Sequence, residues 1–310
     1  MINRTFFGLY RAETPLSHQA DKSMETTSIF RYNTVLLDDG STTKVYNISS
    51  ASFRNDIRVN AGRRLLKLVN LTLEDIPEIA NVVLLSGGPR LERSETVLPL
   101  EYINKVREYF PILDLLGGTT QFCMIEGRMA PTSINALTKI TSNFLIENAI
   151  IKSHNINKDI LPDVVTEFQF NVKVDARTKY DKIIDNGDSI QVERGKAVGD
   201  SESGIVANMF DVQVIRKGTL LGHQVFIRDY ENSLLSSCFA SALSSWKENG
   251  SYIGGRIAQG YGKVSWMYSP RLPVETIYEE YITNNKDRIR SMIMDREIWK
   301  DQKAFLRHCE

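Results

Sequence analysis

The sequence predicts an α+β protein with a ferredoxin-like core. Three observations support this fold class: alternating strands at residues 167–174 and 210–214, an amphipathic helix at 234–246, and a glycine-rich segment before a last strand at 263–268. In chain order the elements are strand, helices, strands, helix and strand, which is the order of a ferredoxin-like core with insertions. We therefore expect a single domain over residues 1–310.

The N-terminal region predicts a strand followed by a polar excursion. Residues 5–12 are rich in aromatic and aliphatic side chains and stop at Thr14-Pro15, which is typical of an opening strand. Residues 17–50 are polar, and the turn at Asp38-Asp39-Gly40 separates two β-prone runs. A flexible loop or hairpin is expected over 17–50.

Helical spacing appears next. Residues 61–69 are expected to form a helix that begins at Gly62. A second helix is expected at 100–110, where apolar residues recur at helical spacing until Pro111 kinks or restarts it. These elements indicate a helical insertion, here named the web, over residues 70–163.

The clearest strand has Phe168, Phe170, Val172 and Val174 on one face and polar residues on the other. A similar alternation at 210–214 follows a polar, glycine-containing stretch, residues 176–204. Two such strands joined by a polar stretch predict a long protruding hairpin.

The C-terminal third predicts the best helix and a tail. Residues 234–246 carry an apolar i, i+3, i+4 stripe, and Asn249-Gly250 ends it. After the last strand, residues 273–310 carry nearly balanced charges and are expected to form a helical tail.

Composition limits the class of protein. The chain has 310 residues, with 38 Lys+Arg against 38 Asp+Glu and a net charge of zero, so any binding of a polyanion must come from local patches and not from bulk charge. Three unpaired cysteines without CxxC spacing support neither a disulfide framework nor a zinc site, and indicate reduced thiols in a cytoplasmic protein. No run approaches the roughly 18 apolar residues of a spanning helix, so no membrane contact is expected.

A basic segment at residues 52–67 is the first candidate site. Its five cations face one acid, Asp56, for a local net charge of +4, and they are Arg54, Arg58, Arg63, Arg64 and Lys67. If the helix begins near Gly62, its free N–H groups lie beside Arg63 and Arg64 and form a suitable phosphate site. The alternative is a solvated basic helix face.

The second candidate is the glycine-rich loop, residues 254–263, with the sequence GGRIAQGYGK. Its glycines allow a sugar-phosphate backbone to approach closely, Tyr261 offers a π face, and Arg256 and Lys263 supply charge. The alternative is a tight turn entering an edge strand. The spacing matches neither a Rossmann nor a Walker loop.

Enzyme motifs are scarce. The four histidines stand alone, without an HExxH motif, and are interpreted as surface or packed residues. No GxSxG elbow, the motif of a nucleophilic serine, is present. Asp21, Asp38 and Asp39 could hold a divalent ion, although Asp38-Asp39-Gly40 is more simply a turn. We expect no cofactor, no metal and no catalytic residue.

The glycine-rich loop, placed after an amphipathic helix and before a last strand, resembles the signature loop of the RAMP (repeat-associated mysterious protein) superfamily of CRISPR systems. The N-terminal strand ending in TPLSHQ, the basic segment RNDIRVNAGRRLL and the strand-hairpin-strand of residues 168–214 occur in the same order as in that family. Among its members the chain resembles most the filament-forming backbone subunit that binds guide RNA, in its type IV variety.

The resemblance implies an RRM-like palm, a fingers or web insertion and a protruding thumb hairpin at residues 176–204. It implies partners: guide RNA (crRNA), complementary target DNA or RNA, copies of the chain in a helical filament, and other CRISPR effector subunits. Carried over by motif, the phosphate contacts are Arg54, Arg58, Arg63, Arg64 and Lys67, and the groove is lined by Gly255, Arg256, Gln259, Tyr261 and Lys263. The resemblance also implies RNA contacts at Arg194 and Lys196 on the thumb.

Two other functions compete with this scaffold. One is a metal-dependent endoribonuclease of the same superfamily that cleaves target RNA with Asp21 or Asp38. The other is a protein-interaction module whose basic patch meets acidic partners.

Overall fold

A computed structural model describes residues 4–19, 27–89, 100–143, 147–164, 167–173, 209–228 and 233–309. The strands are β1 (Arg4–Ala12), β2 (Thr27–Ser28), β3 (Tyr32–Leu36), β4 (Thr42–Ile48), β5 (Gly118–Thr119), β6 (Met124–Ile125), β7 (Met129–Pro131), β8 (Ile134–Ala136), β9 (Glu167–Lys173), β10 (Met209–Ile215), β11 (Leu220–Ile227) and β12 (Val264–Ser269). The α-helices are α1 (Ser50–Leu68), α2 (Glu78–Asn81), α3 (Leu100–Tyr109), α4 (Pro111–Leu116), α5 (Glu147–Ser153), α6 (Ser233–Glu248), α7 (Thr276–Asn284), α8 (Lys286–Met294) and α9 (Gln302–Arg307). A π-helix follows α2 at Val82–Ser86, and short 3₁₀ turns include Lys158–Ile160 and Ile257–Gln259.

The main sheet has the strand order β12-β1-β11-β8-β4-β3, with β7 also paired to β11. The pairs β12-β1, β1-β11 and β11-β8 are antiparallel. With α1 between β1 and β8 and α6 between β11 and β12, this is the βαββαβ order of a ferredoxin-like core. The predicted α+β class is confirmed.

One face of this sheet carries the main core. Phe6 and Tyr10 of β1 are fully buried on that face, where α1 and α6 pack against each other. The ring of Phe53 in α1 lies 4.8 Å from the imidazole of His223, and Trp246 of α6 lies 6.0 Å from Phe53. These contacts bury the two helices on the same side of the sheet.

The opposite face is covered over part of its area. Phe7, Leu9 and Leu220 pack against a second apolar cluster made of Leu137, Ile150, Ile151 and Leu161. Gly222 of β11 permits this packing, because a Cβ there would lie 2.6 Å from the Cδ1 atom of Ile150. Helix α5 therefore sits on the face that RRM domains use to stack bases.

Helix α1 begins twelve positions before Gly62, so the predicted helix start is wrong. Ser49 is the N-cap, and its Oγ accepts a hydrogen bond from the backbone N–H of Ser52 at 3.1 Å. Gly62 lies inside the helix because the π-helix packs closely there: a Cβ would lie 3.1 Å from the carbonyl oxygen of Leu84 and would also contact Leu85. The glycine marks a close approach and not a helix terminus.

The predicted hairpins agree with the described strands. Strands β3 and β4 pair around the turn at Asp38-Asp39-Gly40. Strands β9 and β10 are antiparallel with Phe168 opposite Val214, which confirms the two predicted strands. The proposed thumb, 176–204, lies outside the described residues.

Two predicted insertions contribute to the core. The web, residues 70–163, contains helices α2 to α5, but its strands β7 and β8 belong to the main sheet. The predicted tail, 273–310, is helical over most of its length, yet Tyr278, Ile289 and Trp299 are buried in the main core. No helix among the described residues is both long and apolar enough to span a bilayer.

Candidate nucleic-acid interface

Residues 13–19, here named the strap, join the elements that surround the candidate site. The backbone N–H of Gly255 donates to the carbonyl of Ser17 at 2.6 Å, and that of Gly262 donates to Pro15 at 3.0 Å. The strap therefore holds both ends of the glycine-rich loop.

The strap also reaches α1 and the base of the β9-β10 hairpin. The imidazole Nε2 of His18 accepts from the backbone N–H of Ser49, the N-cap of α1, at 3.2 Å. Leu16 and Ile215 exchange two backbone hydrogen bonds of 2.9 and 3.0 Å at the end of β10. The glycine-rich loop, the N-terminus of α1 and the hairpin base thus meet at one segment.

The glycine-rich loop exposes its middle to solvent. Residues 257–260 are exposed, and the backbone reverses through Gly254, Gly260 and Gly262, with φ angles of 84°, 85° and 93°. Arg256 is also left-handed, with a φ of 59°, an uncommon conformation for a residue with a Cβ. The backbone N–H groups of Gln259, Gly260 and Gly262 already donate to carbonyls of the loop or the strap, so the loop offers its exposed side chains to a ligand.

The predicted loop residues have different roles. Gly255 is not in the left-handed region, and a Cβ there would lie 3.6 Å from the Ser17 carbonyl, so this position does not require glycine. The Arg256 Nη1 donates to the Gln259 Oε1 at 3.3 Å, while Lys263 is exposed and Tyr261 half-buried. Arg256, Gln259, Tyr261 and Lys263 remain available at the surface.

The five cations of the basic segment do not form one patch. Arg58 is buried and donates to the carbonyls of Leu116 and Gly117 at 2.8 and 2.6 Å. Burial, with Arg54 nearby, lowers the pKa of Arg58 to about 10, so it stays charged at neutral pH. This side chain joins α1 to the end of α4.

Arg64 and Arg54 also contact the protein. Arg64 makes a bidentate pair with Glu279 at 2.8 and 2.9 Å and approaches Glu248 at 3.6 Å. Arg54 donates through Nη2 to the carbonyl of Met129 at 3.3 Å. Because the helix passes straight through Gly62, the predicted phosphate site of free N–H groups beside Arg63 and Arg64 is wrong.

Arg63 and Lys67 are the two exposed cations of the segment. They lie one turn apart on the outer face of α1. At a rise of 1.5 Å per residue, Arg63 lies about 20 Å along the helix from Ser50, and therefore far from the strap.

A buried polar cluster lies under the sheet, which the sequence did not reveal. The Tyr10 hydroxyl lies 2.7 Å from the Tyr268 hydroxyl and 3.1 Å from the His223 Nε2. The His223 Nε2 also lies 2.8 Å from the Tyr268 hydroxyl. Burial lowers the pKa of His223 to about 3, so this imidazole is neutral. Gly8 makes room for the cluster, since a Cβ there would lie 2.6 Å from His223. His223 is a packed residue, as predicted.

The remaining predicted residues give no assembled site. Arg194, Lys196 and Asp21 lie outside the described residues. Asp38 is exposed in the β3-β4 turn, where Asp39 accepts hydrogen bonds from the backbone and side chain of Ser41. Over the described ranges, His, Cys, Asp and Glu side chains form no group of three that could hold a metal ion.

Comparisons with known proteins give a likeness of fold. No protein-family model matches the chain, and no curated protein matches it. Among solved structures, a chain described as "Type IV-B CRISPR Complex" is similar, with a TM-score of 0.55 and 15% sequence identity. The match covers 88% of this chain and 96% of that chain.

Proposed function

We propose that the chain is a guide-RNA-binding backbone subunit of a CRISPR effector complex. The observation that carries the proposal is the strap, which joins the glycine-rich loop to the N-terminus of α1 within a fold similar to a chain of a Type IV-B CRISPR complex. The RAMP-like sequence of the loop adds to this support.

The loop supplies chemistry for a sugar-phosphate backbone. Arg256 and Lys263 offer charge, Gln259 an amide and Tyr261 a ring, while the exposed glycine backbone at Gly260 lets the ligand approach closely. These groups recognise phosphate and sugar and not particular bases. A guide carrier needs this property, because it must accept guides of any sequence.

The route of the RNA in this proposal passes the loop and the strap. The alternative route crosses the face of the main sheet opposite α1 and α6. That route meets α5, whose Ile150 packs on Gly222. Of the basic segment, the exposed Arg63 and Lys67 are proposed as phosphate contacts for a part of the RNA beyond the strap, because they lie about 20 Å or more along α1 from Ser50. Arg54, Arg58 and Arg64 act in folding through their protein contacts.

The uneven charge suits assembly. The basic segment carries +4 and the glycine-rich loop +2, which leaves −6 for the remainder of a neutral chain. In the proposal, copies of the chain stack along one guide RNA with their acidic or neutral surfaces in contact, together with other CRISPR effector subunits. The guide is then presented to complementary DNA or RNA.

A titration with labelled single-stranded RNA tests the proposal. We compare Arg256→Glu/Lys263→Glu with a control of equal charge change, Lys247→Glu/Lys303→Glu, on exposed positions of α6 and α9. The loop variant should bind at least tenfold more weakly, with a salt slope reduced by about 1.4 for two lost phosphate contacts on a single strand. Equal affinities for the two variants would contradict a role of the loop in RNA binding.

We further propose that the subunit holds RNA without cutting it. Asp38 supports this view, since it lies in an exposed turn organised by Asp39 and Ser41. Assembled complex incubated with complementary RNA and Mg²⁺ should leave the target intact. Cleavage that is lost in Asp21→Asn or Asp38→Asn would establish the endoribonuclease instead.

A further inference from the structure

A pocket of about 330 Å³ lies between the 3₁₀ turn Lys158–Ile160 and the turn that joins β10 to β11. Its lining residues include Ile160, Leu161, Pro162, Arg216, Lys217 and Leu220. Neither the basic segment nor the glycine-rich loop contributes to it. The pocket is therefore separate from the site described above.

One wall of the pocket is apolar. Leu161 is buried and belongs to the second apolar cluster, which covers part of the sheet face opposite α1 and α6. Pro162 follows it in the chain. Ile160 is 70% exposed, so this large apolar side chain is held in water beside the pocket. A flat, partly apolar ligand would remove it from water.

The rim of the pocket is cationic. Arg216 and Lys217 are adjacent and exposed, and within the described part of the chain neither side chain has a hydrogen bond or an ion pair. The neighbouring acid, Asp163, pairs with Lys139 at 3.3 Å. Two adjacent free cations suit a phosphate group.

The pocket adjoins the strap. The backbone N–H of Gly218, in the pocket wall, donates to the carbonyl of Ala12 at 2.7 Å, one residue before the strap begins. Arg11 is exposed on the open face of β1 and lies opposite Leu220, another wall residue. Arg216, on the rim of the pocket, directly follows Ile215, and Ile215 pairs with Leu16 of the strap.

We propose that this pocket holds one nucleotide of the single-stranded RNA that passes the strap, with the base against Ile160, Leu161 and Pro162 and its phosphate on Arg216 and Lys217. The inference rests on the proposed function. A nucleotide joins a flat π face to an anionic group within one residue, which matches an apolar wall beside two cations better than an extended acidic peptide does. Continuity with the strap places the pocket on the same route as the glycine-rich loop.

Two variants test the phosphate contacts and the base contacts of the proposal separately. Arg216→Gln/Lys217→Gln removes the phosphate contacts, and its matched control is Lys247→Gln/Lys303→Gln. Ile160→Ser removes only apolar surface from an exposed position, so folding should be unaffected. The probes are a fluorescent single-stranded RNA and the same strand with abasic sites, which keeps every phosphate.

The charge variant should bind both strands about tenfold more weakly than its control. Ile160→Ser should bind the normal strand about threefold more weakly and the abasic strand as well as the parent does. Unchanged affinity in the charge variant, with loss in Arg256→Glu/Lys263→Glu, would overturn this pocket and leave the proposed function standing. A parent chain that binds neither strand would contradict both the pocket and the function on which it rests. The same conclusion would follow if polyglutamate, added as an anionic competitor at equal charge, displaced the RNA.

Discussion

His18 accepts, through its Nε2, a hydrogen bond of 3.2 Å from the backbone N–H of Ser49, which caps α1. The next residue on the N-terminal side, Ser17, accepts from Gly255 of the glycine-rich loop at 2.6 Å. Two neighbouring residues of the strap thus tie the loop to the start of α1.

The first prediction concerns this coupling. His18→Ala should lower the free energy of unfolding by about 1 kcal/mol, because the Ser49 N–H loses its acceptor. His18→Gln keeps an acceptor oxygen and should recover part of that loss. Urea denaturation measures both, and equal stability of the parent and His18→Ala would show that the contact contributes nothing.

The second prediction separates folding from binding among the basic residues. Arg58→Met should destabilise the fold by about 3 kcal/mol, since it leaves the buried carbonyls of Leu116 and Gly117 without their donor. Arg63→Met, on the exposed face of the same helix, should change stability by less than about 0.5 kcal/mol. Chemical denaturation of both variants checks this. A well-folded Arg58→Met chain would argue against its structural role.

The third prediction addresses the pair between α1 and α7. Arg64 binds Glu279 bidentately, and the Glu279 Oε1 also accepts from the Ser241 hydroxyl at 2.9 Å. A double-mutant cycle with Arg64→Ala and Glu279→Ala should give a coupling energy of about 1 kcal/mol or more, because the pair is bidentate and mostly buried. Additive effects of the two substitutions would contradict a direct interaction.

The fourth prediction concerns two glycines. Gly8→Ala should cost about 2 kcal/mol, because the new Cβ collides with His223 and Tyr268, which are held in the buried cluster. Gly255→Ala should change stability by only about 0.5 kcal/mol, since its Cβ makes ordinary contact. Thermal unfolding compares the two, and the opposite order of stability would refute the packing described here.

The fifth prediction is a pH dependence at Asp56. Burial raises the pKa of this carboxyl to about 7, and its Oδ2 has no hydrogen-bond partner. Between pH 4 and 7 the unfolded chain ionises Asp56 while the folded chain keeps its proton, so Asp56 makes the fold less stable as pH rises. Asp56→Asn should therefore gain stability relative to the parent through this range. A difference between the two proteins that stays constant from pH 4 to 8 would contradict the raised pKa.

Periodicity predicted strands β9 and β10 and helix α6 well, because their apolar spacing is regular. The two strands pair in a three-stranded sheet with β2 and lie outside the main sheet. Phe168 does lie opposite Val214, and α6 covers the predicted stripe. The start of α1 was missed because Arg54, Asp56 and Arg58 interrupt the spacing of Phe53 and Ile57. A charged residue that binds distant carbonyls looks the same in sequence as a solvated one.

The candidate site, too, could be predicted from the sequence only in part. The glycine-rich loop was recognisable from composition, and its exposure agrees with that expectation. The carbonyl partners of Arg58 lie 58 and 59 positions away and the Glu279 partner of Arg64 lies 215 positions away, so no local pattern could have assigned them. The strap was missed for a related reason, since its contacts with the glycine-rich loop and Ile215 are mostly backbone hydrogen bonds and its contact with α1 is one histidine side chain, His18, whose partner is 31 positions away.

The most direct test of the account is to sequence the nucleic acid that co-purifies with the expressed complex, in parallel for the parent chain and Arg256→Glu/Lys263→Glu. The parent should carry guide RNAs of varied sequence in stoichiometric amount, and the variant, folded by circular dichroism, should carry little or none. A parent free of RNA, or a variant with the same RNA content, would contradict the central claim that this loop holds a guide.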